Sequence, residues 1–279
     1  MFISDSNLLF SIATYKESEN IIKLIFEIRK NYPTTKILII NDNSNDNTSD
    51  LIKETNDKNL IYLERPKKLG LGTAHKLSMF YAIKYNYEYL LTLDADFSHD
   101  PKHIPDLIKN ASPNNFVIGS RFCEGAKSDY TGLRKIISIC GNFFAKKFLK
   151  IELNEITTYF RIYSVSLLKL LPFNKLNAQG YSLGVKLVWY MKKLNANLIE
   201  VPIHFKDRNK GKSKIPKLQI FVSFFDLIVI KLEDLFKKEK FNKENLTYNF
   251  DIKCENCLQN FFTLKKKIFI CLVCNNKKK

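Results

Sequence analysis

The chain of 279 residues carries 45 Lys and Arg against 28 Asp and Glu, a net charge of +17, and 45% of it is apolar, with 22 Phe and 13 Tyr. That apolar share excludes a disordered chain and supplies a sizeable core. No run of 18 apolar residues is present and no basic stretch precedes the first apolar run, so neither a transmembrane helix nor a secretory leader is expected.

In chain order, Leu8–Thr14 reads as a short apolar strand and residues 15–18 as a polar turn, with Ser18 expected to cap a helix over residues 19–30. Ile21, Leu24, Ile25 and Ile28 fall at helical spacing there. Residues 36–40, KILII, are apolar on both faces, as a central parallel strand requires. Residues 41–48 are a cluster of turn and cap residues before a second helix. A third strand at 60–63 leads into a basic, glycine-containing loop over 65–73 and a helix to about Lys84. A fourth strand ends in Asp94-Ala95-Asp96. Four alternations of strand and helix predict a parallel sheet covered on both faces, an α/β architecture.

Ligands of such sheets bind outside the carboxyl ends of the strands. The polar loops at 15–17, 42–44, 68–72 and 94–96 all fall at that edge. Residues i and i+2 of a strand end face one side, so Asp94 and Asp96 present two carboxylates together. They repel unless a cation lies between them, and Mg²⁺ or Mn²⁺, hard ions that share carboxylates with substrate phosphates, suit the pair. The expected ligand is a nucleotide diphosphate; a solvated acidic turn is the plain alternative.

Eight motifs then extend the picture: ATYKESENI (13–21), IINDNSNDNT (39–48), RPKKLGLGTAHK (65–76), LLTLDADFSHDPKHIPDLI (90–108), VIGSRF (117–122), LRKIISICGNFFA (133–145), TTYFRIYS (157–164) and VPIHFKDRNKGKSKI (201–215). In this order and spacing the chain resembles the GT-A glycosyltransferases of family 2. Within them it is similar to the dolichol-phosphate mannose synthases and related polyprenyl-phosphate sugar transferases. The resemblance implies a GT-A fold with a central, mostly parallel sheet. It makes Thr14, Tyr15, Glu17, Asp42, Leu69 and Gly70, with Asp94, Ala95 and Asp96, the nucleotide-sugar site. It implies that Asp42 contacts the base, that Arg121 and Arg134 receive a lipid phosphate, and that Arg208 and Lys214 close over both phosphates. The sequence departs from the family pattern at Ala13, Lys16, Asn41, Ser98 and Tyr159.

The chemistry is consistent with these roles. A leaving diphosphate needs electrostatic stabilisation. A phosphate monoester acceptor, with its second pKa near ~6, is already largely a dianion and needs no general base. Holding two anionic groups together needs cations, and arginine gives bidentate phosphate contacts. His99 is expected to cap the helix starting near Pro101, with contact to metal or phosphate as the rival role; His75 and His204 read as structural, and Cys123 and Cys140 as interior thiols.

Residues 206–279 hold 18 Lys and Arg against 8 Asp and Glu, +10 of the +17. An anionic partner, such as membrane lipid, lipid phosphate or nucleic acid, fits this bias, as does a merely lysine-rich surface. Residues 217–236 form a broad apolar helical face interrupted by Asp226, suited to lying in a membrane interface; packing on the sheet domain or on a second copy is the alternative. Cys254, Cys257, Cys271 and Cys274 form two CxxC pairs with 13 residues between them, the spacing of a Cys₄ zinc ribbon. Strands are expected at 261–264 and 268–270, and the ribbon is a candidate contact for a protein partner. The divisions expected are a transferase domain over 1–216, an interfacial helix and linker over 217–246, and the ribbon over 247–279.

The resulting expectation is a metal-dependent, inverting transferase on the cytosolic face of a membrane. It moves a hexose, mannose from GDP-mannose in the first instance, to polyprenyl or dolichyl phosphate. UDP-glucose or another UDP-sugar is the alternative donor. A degenerate domain that binds nucleic acid or a protein through its ribbon is the alternative of another class.

Overall fold

The computed structural model describes residues 3–176, 180–206, 227–232, 248–253 and 260–264; the side chains of residues 133, 134, 174, 180, 181 and of the last two segments are not described. The chain runs β1 (Leu8–Thr14), α1 (Ile21–Asn31), β2 (Lys36–Asn41), α2 (Thr48–Glu54), β3 (Leu60–Glu64), α3 (Leu71–Lys84), β4 (Tyr89–Asp94) and α4 (Ile104–Lys109). It continues through β5 (Asn115–Ser120), β6 (Lys127–Ser128), α5 (Gly132–Leu149), β7 (Arg161–Ser164), α6 (Val165–Leu168), α7 (Gly180–Lys193), β8 (Asn197–Pro202), β9 (His204–Phe205), β10 (Tyr248–Lys253) and β11 (Asn260–Leu264).

Seven strands form one sheet in the order β3-β2-β1-β4-β7-β5-β8. β1 pairs in parallel with β2 and β4, and β2 with β3, so the four expected strands end at one edge. Their register sets Thr14 opposite Asn41 and Ala13 opposite Asp94, which places the predicted loops side by side. β7 runs antiparallel between β4 and β5. The sheet is therefore mixed, though mostly parallel.

Apolar character on both faces of the central strands has a direct cause. Successive side chains of β2 alternate: Leu38 and Ile40 join a core cluster with α3, α7 and their neighbours, while Ile37 and Ile39 join a second with α1 and α4. Helix α1 buries Ile21, Leu24, Ile25 and Ile28, the stripe read from the sequence.

Its start differs from expectation. Asn20, not Ser18, is the residue before the first helical turn, and it makes no side-chain cap. Lys16 adopts a left-handed φ of 57°, which carries the loop further before the helix begins. The Ser18 N–H points instead to Asp46 at 3.5 Å.

Among the described residues no helix is long and apolar enough to cross a membrane. Of the expected interfacial helix, residues 227–232 are helical. Leu227 and Ile230 join the main core, while Val229 and Leu232 are exposed, so this portion packs on the sheet domain. β10 and β11 form an antiparallel pair; β11 coincides with the strand expected at 261–264, whereas β10 was not anticipated.

Candidate active site

The edge where β1 to β4 end is built around Asp42. Its Oδ1 accepts the Leu69 N–H at 2.6 Å and its Oδ2 the Gly70 N–H at 2.7 Å. The Arg65 guanidinium, fully buried, meets the same carboxylate at 2.5 Å. Arg65 also donates to Thr73 Oγ1 at 2.6 Å and to the Gly70 carbonyl at 3.2 Å. Thus Asp42 and Arg65 clamp the 65–70 loop onto the end of β2. Removing either partner of such a buried pair costs about 3–5 kcal/mol, because the other charge is left uncompensated. Gly70 stands at φ 93°, ψ 157°, a conformation that a side chain strains, so glycine is required to turn the loop into α3. Arg65 received no role in the sequence reading; only the Arg-Pro at the head of its motif marked it.

The first loop is tied to the second. The Lys16 N–H donates to Ser44 Oγ at 2.8 Å, and Ser44 in turn donates to Asn41 Oδ1 at 2.5 Å. Asn41 Nδ2 reaches Ser49 and Tyr62, both at 3.0 Å. Tyr15 lies under the Lys68 ammonium, 3.8 Å from the ring centroid. Glu17 accepts from Asn20 Nδ2 at 2.9 Å. Thr14 is buried and its Oγ1 finds no hydrogen-bond partner. A buried hydroxyl left so at a strand end is the kind of group a ligand satisfies.

Asp94 is the last residue of β4, one-third exposed, whereas Asp96 lies in the turn beyond and is buried. The two carboxylates therefore do not both sit on the strand, as alternation had suggested. Asp96 Oδ1 accepts the Ser98 N–H at 3.1 Å, and Phe97 takes a left-handed φ of 63°. Ala95 is buried between them.

His99 is not a helix cap: Asp100 fills that place, accepting the Lys102 N–H at 3.1 Å. The His99 ring is buried, stacked on Phe160 with centroids 5.0 Å apart and edge-on to Phe205 at 5.7 Å. Its Nδ1 accepts the Asp94 N–H at 2.9 Å, which fixes the proton on Nε2, and Nε2 donates to Thr158 Oγ1 at 2.8 Å. Burial pushes its pKa down to about 3, with Arg121 and Arg161 acting in the same direction and Asp96 and Glu155 opposing. The ring is neutral, so the 3.7 Å approach of Asp94 Oδ2 is not an ion pair.

On the far side of this loop Arg121 meets Glu155 at 2.6 Å and Thr157 Oγ1 at 3.0 Å. Its guanidinium carbon stands 4.9 Å from the Phe205 ring centroid, 5.0 Å from that of Phe122 and 5.6 Å from that of Tyr130. Burial raises the Glu155 carboxyl, but Arg121 and the Thr157 hydrogen bonds outweigh it and hold the group below the usual range. Glu155 was also missed in the sequence reading.

Arg134 falls in the first turn of α5, with its side chain outside the described residues. Arg208, Lys214, Cys254, Cys257, Cys271 and Cys274 also lie outside them. His75 is buried and stacked on Tyr159 at 3.9 Å, and the His204 ring Nε2 lies 2.7 Å from Asp129 Oδ1. Cys123 is only partly buried and Cys140 is exposed, not interior, because the outer face of α5 is uncovered.

Residues 10–171 match the family model described as glycosyl transferase family 2. The chain is 30% identical over 207 residues to an undecaprenyl-phosphate mannosyltransferase of Micrococcus luteus, covering 73% of this chain and 85% of that one. It is 27% identical over 222 residues to a polyprenol monophosphomannose synthase of Mycolicibacterium smegmatis, covering 78% and 84%. Among solved structures it resembles glucosyl-3-phosphoglycerate synthase of Mycobacterium tuberculosis, in complex with Mn²⁺, UDP and glucosyl-3-phosphoglycerate, with a TM-score of 0.57 at 15% identity over 88% of this chain and 84% of that one. It also resembles S. aureus TarS with UDP-GlcNAc, with a TM-score of 0.54 at 15% identity over 82% and 67%. At that identity these two establish the GT-A fold alone. The chain belongs to glycosyl transferase family 2 and is a glycosyltransferase.

Proposed function

We propose that the enzyme transfers mannose from GDP-mannose to a polyprenyl or dolichyl phosphate, with inversion at the sugar. The observation that carries this reading is the pairing of a two-carboxylate turn with an arginine, Arg121, held among aromatic rings on the acceptor side. An arginine there suits an acceptor that is itself a phosphate. A sugar hydroxyl would instead need a base within hydrogen-bond reach. The names of the two curated relatives support the same acceptor class.

Asp94 and Asp96 suit a hard divalent ion, since Mg²⁺ and Mn²⁺ are commonly held by one or two carboxylates together with substrate phosphates. When bound, such an ion would supply charge neutralisation of the leaving diphosphate. The chain's own groups do the rest. The clamped Leu69–Gly70 loop and Tyr15 hold the nucleotide. Asp42, already engaged by that loop, contacts the base. Arg121, with Arg134, orients the acceptor phosphate for direct attack on the anomeric carbon, and Arg208 and Lys214 close over both phosphates. Because the acceptor is a dianion, no proton has to be removed at the moment of attack.

A lipid-linked acceptor would bring the enzyme to a membrane surface, which we take to be the cytosolic face. Helix α5 supports this: Ile136, Ile137, Ile139, Phe143 and Phe144 are all exposed, and residues 130–151 contain five Lys and Arg and no acid. A helix of that kind lies at a lipid surface. The CxxC spacing supports a structural zinc site at the four C-terminal cysteines, with a protein partner as its role.

The UDP held by the solved neighbours keeps UDP-glucose as the rival donor. Offering labelled GDP-mannose and UDP-glucose in parallel, with Mg²⁺ or Mn²⁺ and a short polyprenyl phosphate, decides between them. Lipid-linked label is expected from GDP-mannose; label from UDP-glucose alone overturns the choice of donor.

A further inference from the structure

A buried chain of hydrogen bonds crosses from the donor side of the site to the acceptor side. The Asp94 N–H donates to His99 Nδ1 at 2.9 Å, and His99 Nε2 donates to Thr158 Oγ1 at 2.8 Å. The Thr158 N–H donates to Glu155 Oε1 at 3.2 Å, and Arg121 Nε donates to Glu155 Oε2 at 2.6 Å. The side chains in this chain are all buried: His99 1%, Thr158 6%, Glu155 0% and Arg121 9% exposed. Phe205 closes the gap from above, since it touches both the His99 ring and the Arg121 guanidinium.

The sheet explains why a side chain is needed here. β7 stops pairing with β4 at Thr92 opposite Arg161, so among the described residues no strand pairs with the end of β4 on that side. His99 takes the Asp94 N–H where the ladder ends. The same ring reaches both the 94–96 turn and the 155–158 segment. An imidazole suits this place because it offers an acceptor and a donor at opposite ends of a rigid ring. Hydrogen-bond networks of this sort, when fully satisfied and buried, fix one geometry.

We infer that His99 is a positioning residue that sets the Asp94–Asp96 turn relative to Arg121, and so sets the distance between donor and attacking phosphate. This deepens the proposed function and rests on its assignment of the two sides. A misplacement of about 1 Å between reacting groups costs on the order of 10²-fold in rate. The effect belongs in kcat, because each substrate still meets its own half of the site.

The test is a double-mutant cycle with His99→Asn and Thr158→Val, with His99→Gln and Thr158→Ser as companions. The carboxamide of Asn reaches the Asp94 N–H but not Thr158; that of Gln reaches Thr158 but not Asp94. Both Asn and Gln variants are expected to lose about tenfold to a hundredfold in kcat, with KM for each substrate changed by less than about threefold. Thr158→Ser, which keeps the hydroxyl, should retain the parent kcat. Thr158→Val should lose it, and should lose nothing more when added to His99→Asn. Parent-like kcat in His99→Asn overturns the inference. So do losses that multiply in the double variant, and so does a kcat loss that Thr158→Ser shares. The readout is the ratio of variant to parent on whichever acceptor the parent uses. Failure of the parent on lipid phosphate therefore counts against the substrate reading and leaves the cycle to judge His99.

Discussion

Single residues decide the chemistry, and two of them make separable predictions. Asp96 is buried in the turn after β4, where its carboxylate already orders the Ser98 N–H. Replacing it with Ala removes the more enclosed of the two carboxylates proposed to hold a metal, and transfer should fall by at least a hundredfold in an assay at saturating Mn²⁺. Retained activity would take the metal out of the mechanism. His75 makes a prediction about stability. Burial pushes its pKa down to about 3, helped by Arg161, His99 and Arg65, and neither ring nitrogen has a hydrogen-bond partner. In the unfolded chain the same group protonates near ~6.5. Between those values the unfolded state binds the extra proton, so stability falls as the pH is lowered, by about 1.4 kcal/mol per unit from this residue. His75→Phe keeps a ring against Tyr159 and removes the titration. Urea melts at pH 7 and pH 5 should show the variant losing about 2 kcal/mol less than the parent. Equal losses would mean that His75 is accessible to protons in the folded state. Residues were also the level at which the sequence said least. Asp42 was singled out by its motif, but its engagement with Arg65, Leu69 and Gly70 was not legible. His99 and Thr158 are 59 positions apart, and Arg121 and Glu155 are 34 apart. No local pattern encodes such pairings.

Elements were read more faithfully where one local signal determined them. β1, β2 and β4 are runs of apolar residues buried on both faces, and α1 carries its stripe at helical spacing. The start of α1 was missed because a left-handed Lys16, not a capping side chain, sets it. β7 escaped notice because four residues inserted antiparallel between distant strands differ in no compositional way from a loop. Helix α5 offers a second candidate surface for a membrane contact, beside residues 217–236, of which only 227–232 are described. It is an exposed apolar surface bordered by lysines. Its Asn142 Oδ1 accepts the Ile156 N–H at 2.8 Å, and Lys146 donates to Asn154 at 2.6 Å. The helix is thereby stapled to the segment that holds Arg121. The full chain should bind vesicles containing anionic phospholipid. Joint replacement of Phe143 and Phe144 by Asp should weaken that binding at least tenfold, since burying each ring is worth about 1.5–3 kcal/mol. The melting temperature should barely move, because both rings are exposed. Undiminished vesicle binding by the variant would assign the membrane contact to another part of the chain.

At the scale of the molecule, a mostly parallel sheet brings donor loops to one edge, and an antiparallel insertion turns the chain so that the acceptor-side segment follows directly beside them. The architecture was legible because strand and helix alternate from the first residues onward, and the edge that carries the site follows from that alternation. The residues proposed for the acceptor side were marked only through motif resemblance, since they gather from the end of β5, from the 155–158 segment and from β9. The overall charge of +17 and the exposed face of α5 suit a molecule that meets an anionic, lipid-bound acceptor. The most direct measurement is transfer from labelled GDP-mannose, with Mn²⁺, to a short polyprenyl phosphate and to the matching polyprenol in parallel. The account predicts lipid-linked label with the phosphate and none with the alcohol. Equal label on both, or label on the alcohol alone, would contradict it, because Arg121 would then have no phosphate to receive.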